Sequence, residues 1–295
     1  MLFRSDLFAY RTWLTALIQR LDAGAAASTF VLVPTRAAGD QLRRTVGASS
    51  TPVAHWPHIG SRTDLYDLLC SRLPSPPRLL WPFEREGILA AAAREAEDSG
   101  TPPPFHARPA LVAEMLALYD HVRRLGRTVD DFDRLLSGEL EPAAESDRGA
   151  AQLVEQTRFL TASYRHYEAQ LAQGGALDEH AVRSLLLSTP SEMPITHLVI
   201  ATADHPFDPD GYRPADASLF AALPGLAQID VLATGGVLDA GFLDRLRLAF
   251  VEVEEDAAGD PRSAPVLTVP NEGVAFTYRD REDELEAVAQ RVPDG

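Results

Sequence analysis

The sequence contains no lysine. All 27 basic residues among its 295 are arginine, and 43 acidic residues outnumber them, which gives a formal net charge of −16. The absence of lysine excludes a P-loop ATPase, a Schiff-base enzyme and a nuclease that depends on a catalytic lysine. The acidic balance argues against unspecific, charge-driven binding to DNA or to anionic membranes, although arginines could still cluster on one face.

Cysteine and long hydrophobic runs are scarce as well. Cys70 is the only cysteine, which excludes an intrachain disulfide and gives no support for an oxidising compartment. The apolar N-terminal stretch is interrupted by four charged residues: Arg4, Asp6, Arg11 and Arg20. No run reaches the ~18 residues of a membrane span. We therefore expect a cytoplasmic protein that does not contact a membrane.

Catalytic and cofactor motifs are missing too. Neither a GxSxG nucleophile turn nor a GxGxxG dinucleotide loop occurs. His55 and His58 have metal-ligand spacing but no further ligands nearby in the sequence. The acidic loop at 204–211 lacks two ligands of a calcium loop when it is aligned on Gly211. We predict no catalytic residue, no cofactor and no bound metal.

The order of apolar patterns predicts an α/β fold. FVLVP (30–34) and ITHLVIATA (195–203) are continuous apolar runs, as in parallel strands that are buried on both faces. Helical spacing of apolar residues follows the first run and continues throughout 76–190. The pattern predicts a parallel-sheet lobe interrupted by an all-helical subdomain.

These patterns set the predicted domain boundaries. The first part of the lobe covers 1–75, the helical insertion 76–190 and the second part of the lobe 191–270. Residues 271–295 carry one more strand-like run and a helical pattern, so we predict that a further lobe starts there.

Two loops at the predicted carboxyl edge of the sheet carry residues suited to phosphate contacts. Thr35 and Arg36 follow the first apolar run, and Ser61, Arg62 and Thr63 open a later helix. Ligands of parallel sheets bind at this edge, and hydroxyls with arginine at a helix N-terminus suit phosphate. The alternative is that Thr35 and Ser61 only cap their helices.

The order of these segments resembles the UvrD/Rep-type superfamily of DNA helicases. VLVPTRAAGDQLRRTV (31–46) is similar to a strand-to-helix segment of that family, with matches that include the Arg43-Arg44 pair. SRTDLYDLLCSRL (61–73) is similar to the next motif, which touches single-stranded DNA in that family. The resemblance implies a RecA-like, P-loop-NTPase-like lobe and adds Arg43 to the DNA contacts.

Departures from the family pattern affect all parts of one ATP site. No glycine-rich loop with lysine precedes residue 30, and the paired magnesium-binding acids of the family fall on Thr202 and Ala203. The phosphate-sensing glutamine after the third strand is missing from TGGVLD (234–239). Since phosphoryl transfer depends on charge neutralisation and positioning, the resemblance implies a lobe that does not hydrolyse ATP.

Among such lobes, the chain resembles the AddB-type subunit of bacterial helicase–nucleases that process double-strand breaks. The resemblance implies a non-catalytic scaffold that contacts single-stranded DNA and a motor helicase–nuclease subunit. Members of that family continue to a PD-(D/E)XK nuclease domain, so a second hypothesis is the N-terminal part of an exonuclease whose catalytic domain lies beyond Gly295. A protein-interaction module without DNA binding and an unrelated small-molecule α/β enzyme are the third and fourth hypotheses.

Overall fold

The fold is α/β with a parallel sheet. A computed structural model describes residues 1–5, 7–49, 52–105, 108–203, 211–250 and 252–256. The strand and helix predicted within 271–295 lie outside these residues, as does most of the acidic loop, 204–210.

Six parallel strands form the main sheet in the order β3-β2-β6-β7-β1-β8. Their bounds are β1 Leu2–Ser5, β2 Thr29–Leu32, β3 His58–Gly60, β6 His197–Ile200, β7 Gln228–Thr234 and β8 Glu255–Asp256. The chain runs from β2 outward to β3, and from β6 in the opposite direction to β7. The adjacent strands β2 and β6 therefore form a switch point, the place in the sheet where ligands of this architecture bind beyond the carboxyl ends of the strands.

Alternating side chains of the central strands enter two different cores. In β2, Phe30 and Leu32 face one core, whereas Val31 faces the other. In β6, Leu198 and Val199 divide in the same way. Both faces of the sheet are thus buried, which explains why these strands appear in the sequence as unbroken apolar runs.

Helices cover both faces of the sheet. One face packs against α1 Leu7–Arg20 and α3 Arg36–Gly47. The other packs against α4 Arg62–Ser71, α9 Glu179–Ser188, α10 Pro214–Ala222 and α12 Leu243–Ala249. Two short helices, α2 Ala23–Ser28 and α11 Gly235–Val237, lie in connections, and a kink at Ala240 and Gly241 separates α11 from α12.

Four longer helices separate β3 and α4 from the return to the sheet at β6. They are α5 Pro82–Asp98, α6 Pro109–Arg124, α7 Val129–Ala144 and α8 Arg148–Gly174. Their apolar faces form a third core around Tyr119, Tyr164 and Tyr167. We call these four helices the helical block. None of the described helices has the length and hydropathy needed to cross a membrane.

Two short strands differ from the prediction that 76–190 is helical throughout. β4 (Arg78–Leu79) and β5 (Ala176–Leu177) pair in parallel immediately before and after the helical block. Two-residue strands carry too little pattern to be found in a sequence. The pair brings the two ends of the helical block side by side.

Most predicted elements of the sheet are confirmed, but the first strand is missing from the prediction. β6 lies within its predicted run of 195–203, and β2 overlaps its run of 30–34 but begins one residue earlier, at Thr29. β1 pairs with β7 along Leu2–Ser5, although the N-terminus carries only two apolar residues directly after Met1. Its placement in the sheet comes from long-range pairing, which the local sequence does not encode.

Candidate functional site

The carboxyl edge of the sheet brings together the N-termini of α3 and α4. Thr35 follows β2, and its hydroxyl accepts a hydrogen bond from the Ala38 amide at 3.1 Å. Ser61 follows β3, and its amide and hydroxyl donate to Asp64 Oδ2 at 2.9 and 2.7 Å. Both residues therefore act as helix caps, the alternative that the sequence left open beside phosphate contact.

An ion pair joins these two helix starts. Arg36 Nε and Nη2 donate to Asp64 Oδ1 at 3.0 and 2.8 Å, and the Arg36 side chain remains 74% exposed. Partial burial alone would raise the pKa of Asp64, but hydrogen bonds from Ser61 and Arg36 lower it overall. A phosphate could reach Arg36 from solvent, and it would compete there with the Asp64 carboxylate.

Arg43 and Thr63 complete the outward-facing part of the predicted contact set. Arg43 is 45% exposed, donates to the Ile59 carbonyl in β3 at 2.5 Å and pairs with Asp40 at 3.1 Å. Thr63 is exposed on the first turn of α4. The structure thus presents five of the six predicted residues near or at the surface of one edge.

Arg62, the sixth residue, has a different environment. Its side chain is 19% exposed, and Nε and Nη2 donate to the two carboxylate oxygens of Asp216 at 2.6 and 3.1 Å. Its guanidinium also lies 4.8 Å from the centre of the Tyr66 ring. A phosphate contact by Arg62 stays a prediction, and it would require the loss of this partner. Asp216 is 154 positions away in the chain, so no local pattern could reveal the pair.

Asp216 is the centre of a buried ionic network. It lies in the first turn of α10, is 0% exposed and accepts hydrogen bonds from Arg62, the Tyr66 hydroxyl and the Arg213 amide. Arg183 Nη1 lies 3.6 Å from its Oδ1. Burial alone would raise the pKa of Asp216, but the charge of Arg62 and these hydrogen bonds lower it overall. Asp216 is therefore a carboxylate at neutral pH.

The network continues into the helical block through His180. Its Nδ1 lies 2.5 Å from Arg183 Nη2, and its Nε2 lies 2.8 Å from Asp120 Oδ1. A guanidinium can only donate, so Nδ1 accepts and the single proton resides on Nε2, which donates to Asp120. Burial lowers the pKa of His180, and Arg183 lowers it further, against the opposing effect of Asp120.

The acidic residues Asp120 and Glu179 of the network are each paired with an arginine. Arg85 donates to both carboxylate oxygens of Asp120, at 3.0 and 2.5 Å, and Arg124 donates to Glu179 at 2.6 Å. Burial alone would raise the pKa of Glu179, but the Arg124 hydrogen bond and nearby arginine charges lower it to about 2.

Asp120, Glu179 and His180 have the residue types of a metal site. Their ligand atoms lie within 4.8 Å of one another. A cation there would have to displace Arg85 and Arg124 among further guanidinium groups, so we interpret the cluster as part of the ionic network. His58, by contrast, lies beside Arg72, whose Nη2 is 3.0 Å from its Nε2.

The junction between β1 and α1 bears on nucleotide binding. β1 ends at Ser5 and α1 begins at Leu7, so a single residue connects them. Phosphate-binding loops between a strand and a helix need several residues whose amides surround the phosphate. The described part of the loop that follows β6 consists of Ala201, Thr202 and Ala203, none of which is a carboxylate.

Sequence reasoning did not find the ionic network. Arg85, Asp120 and Asp216 lie in helical stretches where a charged residue is typical of a solvated face. The only local signal is Asp178, whose side chain accepts from the His180 and Ala181 amides at the start of α9. Capping identifies that helix start, but it does not identify Asp120 and Arg183 as the partners of His180.

The comparisons with known proteins give no family assignment. The sequence matches no established protein family, and no curated protein is similar enough to count as a match. The likeness to AddB-type subunits therefore rests on the residues quoted above and remains an expectation.

Proposed function

We propose that the chain is a non-catalytic, helicase-like scaffold that contacts single-stranded DNA and partner subunits in a repair helicase–nuclease. The observation that carries the proposal is the one-residue junction between β1 and α1. An active motor of this architecture needs a phosphate-binding loop with a lysine, and the chain contains no lysine. The parallel sheet and the helical block between its two parts are compatible with a RecA-like lobe that carries an inserted subdomain.

DNA contact is assigned to the outward-facing residues of the carboxyl edge. Arg36 and Arg43 are exposed cations beside two capped helix N-termini, where backbone amides also favour anions. Arg62 is left out of the contacting group because its guanidinium is held by Asp216. The contacts would position the phosphate backbone without reading bases.

Fluorescence anisotropy with a labelled single-stranded oligonucleotide tests this assignment. Arg36→Ala with Arg43→Ala should weaken binding and reduce the slope of log K against log salt by about 0.7 per lost phosphate contact. Asp64→Asn should strengthen binding, because it removes the carboxylate that competes for Arg36. Arg134→Ala, at an exposed arginine of α7, serves as the control and should leave binding unchanged.

Two outcomes would contradict the proposal. Unchanged affinity in the Arg36 and Arg43 double variant would remove the DNA-contact assignment. ATP hydrolysis by this chain would overturn the non-catalytic assignment, whatever the DNA result.

An exposed aromatic pair supports the partner-binding half of the proposal. Trp81 and Phe83, at the start of α5, are 65% and 71% exposed. Large exposed aromatic residues are enriched at the centres of protein interfaces. The same pair favours the hypothesis of an interaction module without DNA binding, and absence of an anisotropy change in the wild-type protein would support that hypothesis.

A further inference from the structure

A cleft of about 500 Å³ opens within the helical block and its junction with α9. Its walls come from α6, the start of α7, the second half of α8 and the β5–α9 corner. The volume lies in the range of ~300–1,000 Å³ that is typical of small-molecule sites. None of the residues assigned to DNA contact lines it.

The floor of the cleft is apolar. Val129 and Leu171 are buried in it, and Leu177, Ala172 and Ala181 extend the apolar surface outward. This surface can bury an aliphatic or aromatic group of a ligand, which provides the favourable transfer free energy for binding.

Two polar groups of opposite charge retain unused hydrogen-bonding capacity on one wall. The Arg123 guanidinium lies 3.6 Å from the Glu168 carboxylate, and the Arg123 side chain makes no hydrogen bond within the described residues. Glu168 accepts one hydrogen bond, from the Tyr119 hydroxyl at 3.0 Å, through Oε1 only. The two side chains are 24% and 37% exposed, so a ligand can reach both.

Two other charged side chains of the cleft already have partners. Arg165 is paired with Asp130 and Asp133, and Asp178 is buried as the cap of α9. The remaining charged feature of this wall is the Arg123–Glu168 ion pair, whose groups lie 3.6 Å apart without a hydrogen bond between them. A ligand that carries both charges would replace this pair with one direct contact to each residue. This pair matches a molecule that carries a carboxylate and an ammonium group together.

We propose that the cleft binds a small zwitterion with an apolar body, of the class of aliphatic or aromatic amino acids. The ligand carboxylate accepts from Arg123, its ammonium donates to Glu168, and its side chain covers Val129 and Leu171. The proposal is independent of DNA binding.

Isothermal titration calorimetry of the full chain with L-phenylalanine tests the proposal. Phenethylamine lacks the carboxylate and 3-phenylpropanoate lacks the ammonium, so each should bind about tenfold more weakly than phenylalanine or worse, since each loses one charge-assisted contact. Ala181→Phe should abolish binding by filling the cleft. Ala143→Phe, at an exposed alanine of α7, is the matched control and should bind normally.

Substitutions at two partly exposed residues, Arg123 and Glu168, keep the test decisive if the Ala181→Phe variant fails to fold. Arg123→Gln should remove the preference for phenylalanine over phenethylamine, and Glu168→Gln should remove the preference over 3-phenylpropanoate. Absence of binding at millimolar phenylalanine, or equal loss of both preferences in either variant, would overturn the proposal.

Discussion

Asp216 is a fully buried carboxylate whose charge is balanced by arginines from two other helices. Asp216→Asn should lower the free energy of unfolding by ~3–5 kcal/mol, because it leaves Arg62 and Arg183 buried without their counter-charge. Asp40→Asn removes an exposed partner of Arg43 and should cost no more than ~1 kcal/mol. Urea unfolding of the three proteins measures both values. A loss below ~1 kcal/mol for Asp216→Asn would show that the network is not needed for stability.

His180 makes stability sensitive to pH near neutrality. Its folded-state pKa lies below the ordinary value of 6.5, so the unfolded chain binds a proton that the folded chain resists. Stability is therefore full above pH 6.5 and falls as the pH drops below it. Lowered carboxylate pKa values, such as that of Asp216, add a further loss at more acidic pH.

Thermal unfolding of His180→Gln across about pH 5 to 8 isolates this effect. Glutamine can still donate to Asp120 and accept from Arg183, but it does not titrate. The variant should show a flatter dependence of melting temperature on pH over this range than the wild-type protein, even if its melting temperature is lower throughout. An identical slope in both proteins would assign the pH dependence to other groups.

At the scale of elements, the end of α8 depends on a left-handed residue. Gly175 has φ of +69°. Gly174 is the last residue of the helix, and a Cβ added there would meet no neighbouring atom. Gly175→Ala should lower the free energy of unfolding by ~1 kcal/mol, because a Cβ disfavours this conformation. Gly174→Ala should be neutral or add up to ~1 kcal/mol through helix propensity. Chemical denaturation that gave both variants the same sign would contradict this account of the helix end.

The sequence predicts elements best where a local pattern matches a local physical cause. β2 and β6 follow from apolar runs, and the four helices of the helical block follow from helical spacing. β1 is missing from the prediction because its position depends on pairing with β7, a strand near the far end of the described chain.

The residues of the candidate site also differ in whether a local sequence pattern predicts them. Thr35 and Ser61 were predictable as residues that follow strands and open helices. The pairing of Arg62 with Asp216 was not predictable, because Asp216 lies on a different helix, 154 positions away in the chain. Ion pairs between residues far apart in the sequence can be identified only once the fold is known.

For the whole molecule, the ionic network connects two apolar cores. Met1–Asp260 form one compact unit, although the core of the helical block and the cores of the sheet contain different residues. Arg183, between His180 and Asp216, bridges the two parts. We expect the wild-type protein to unfold in one cooperative step.

Hydrogen exchange measured by mass spectrometry tests this coupling. In the wild-type protein, the most protected amides of α8 and β6 should exchange with the same free energy of opening. Arg183→Met should let α8 open before β6, whereas Arg134→Met at an exposed position should not. Synchronous exchange in Arg183→Met would show that apolar contacts alone couple the two parts.

The pairing of β4 with β5 affects how readily insertions and deletions in the helical block are tolerated during evolution. Leu79 pairs with Leu177, so the two ends of the segment that contains the helical block lie next to each other. The entropic cost of closing a chain segment whose ends are held together grows only with the logarithm of its length. Changes in the length of the helical block at this point should therefore cost little chain entropy, as long as Asp120 and Arg124 keep their contacts with α9.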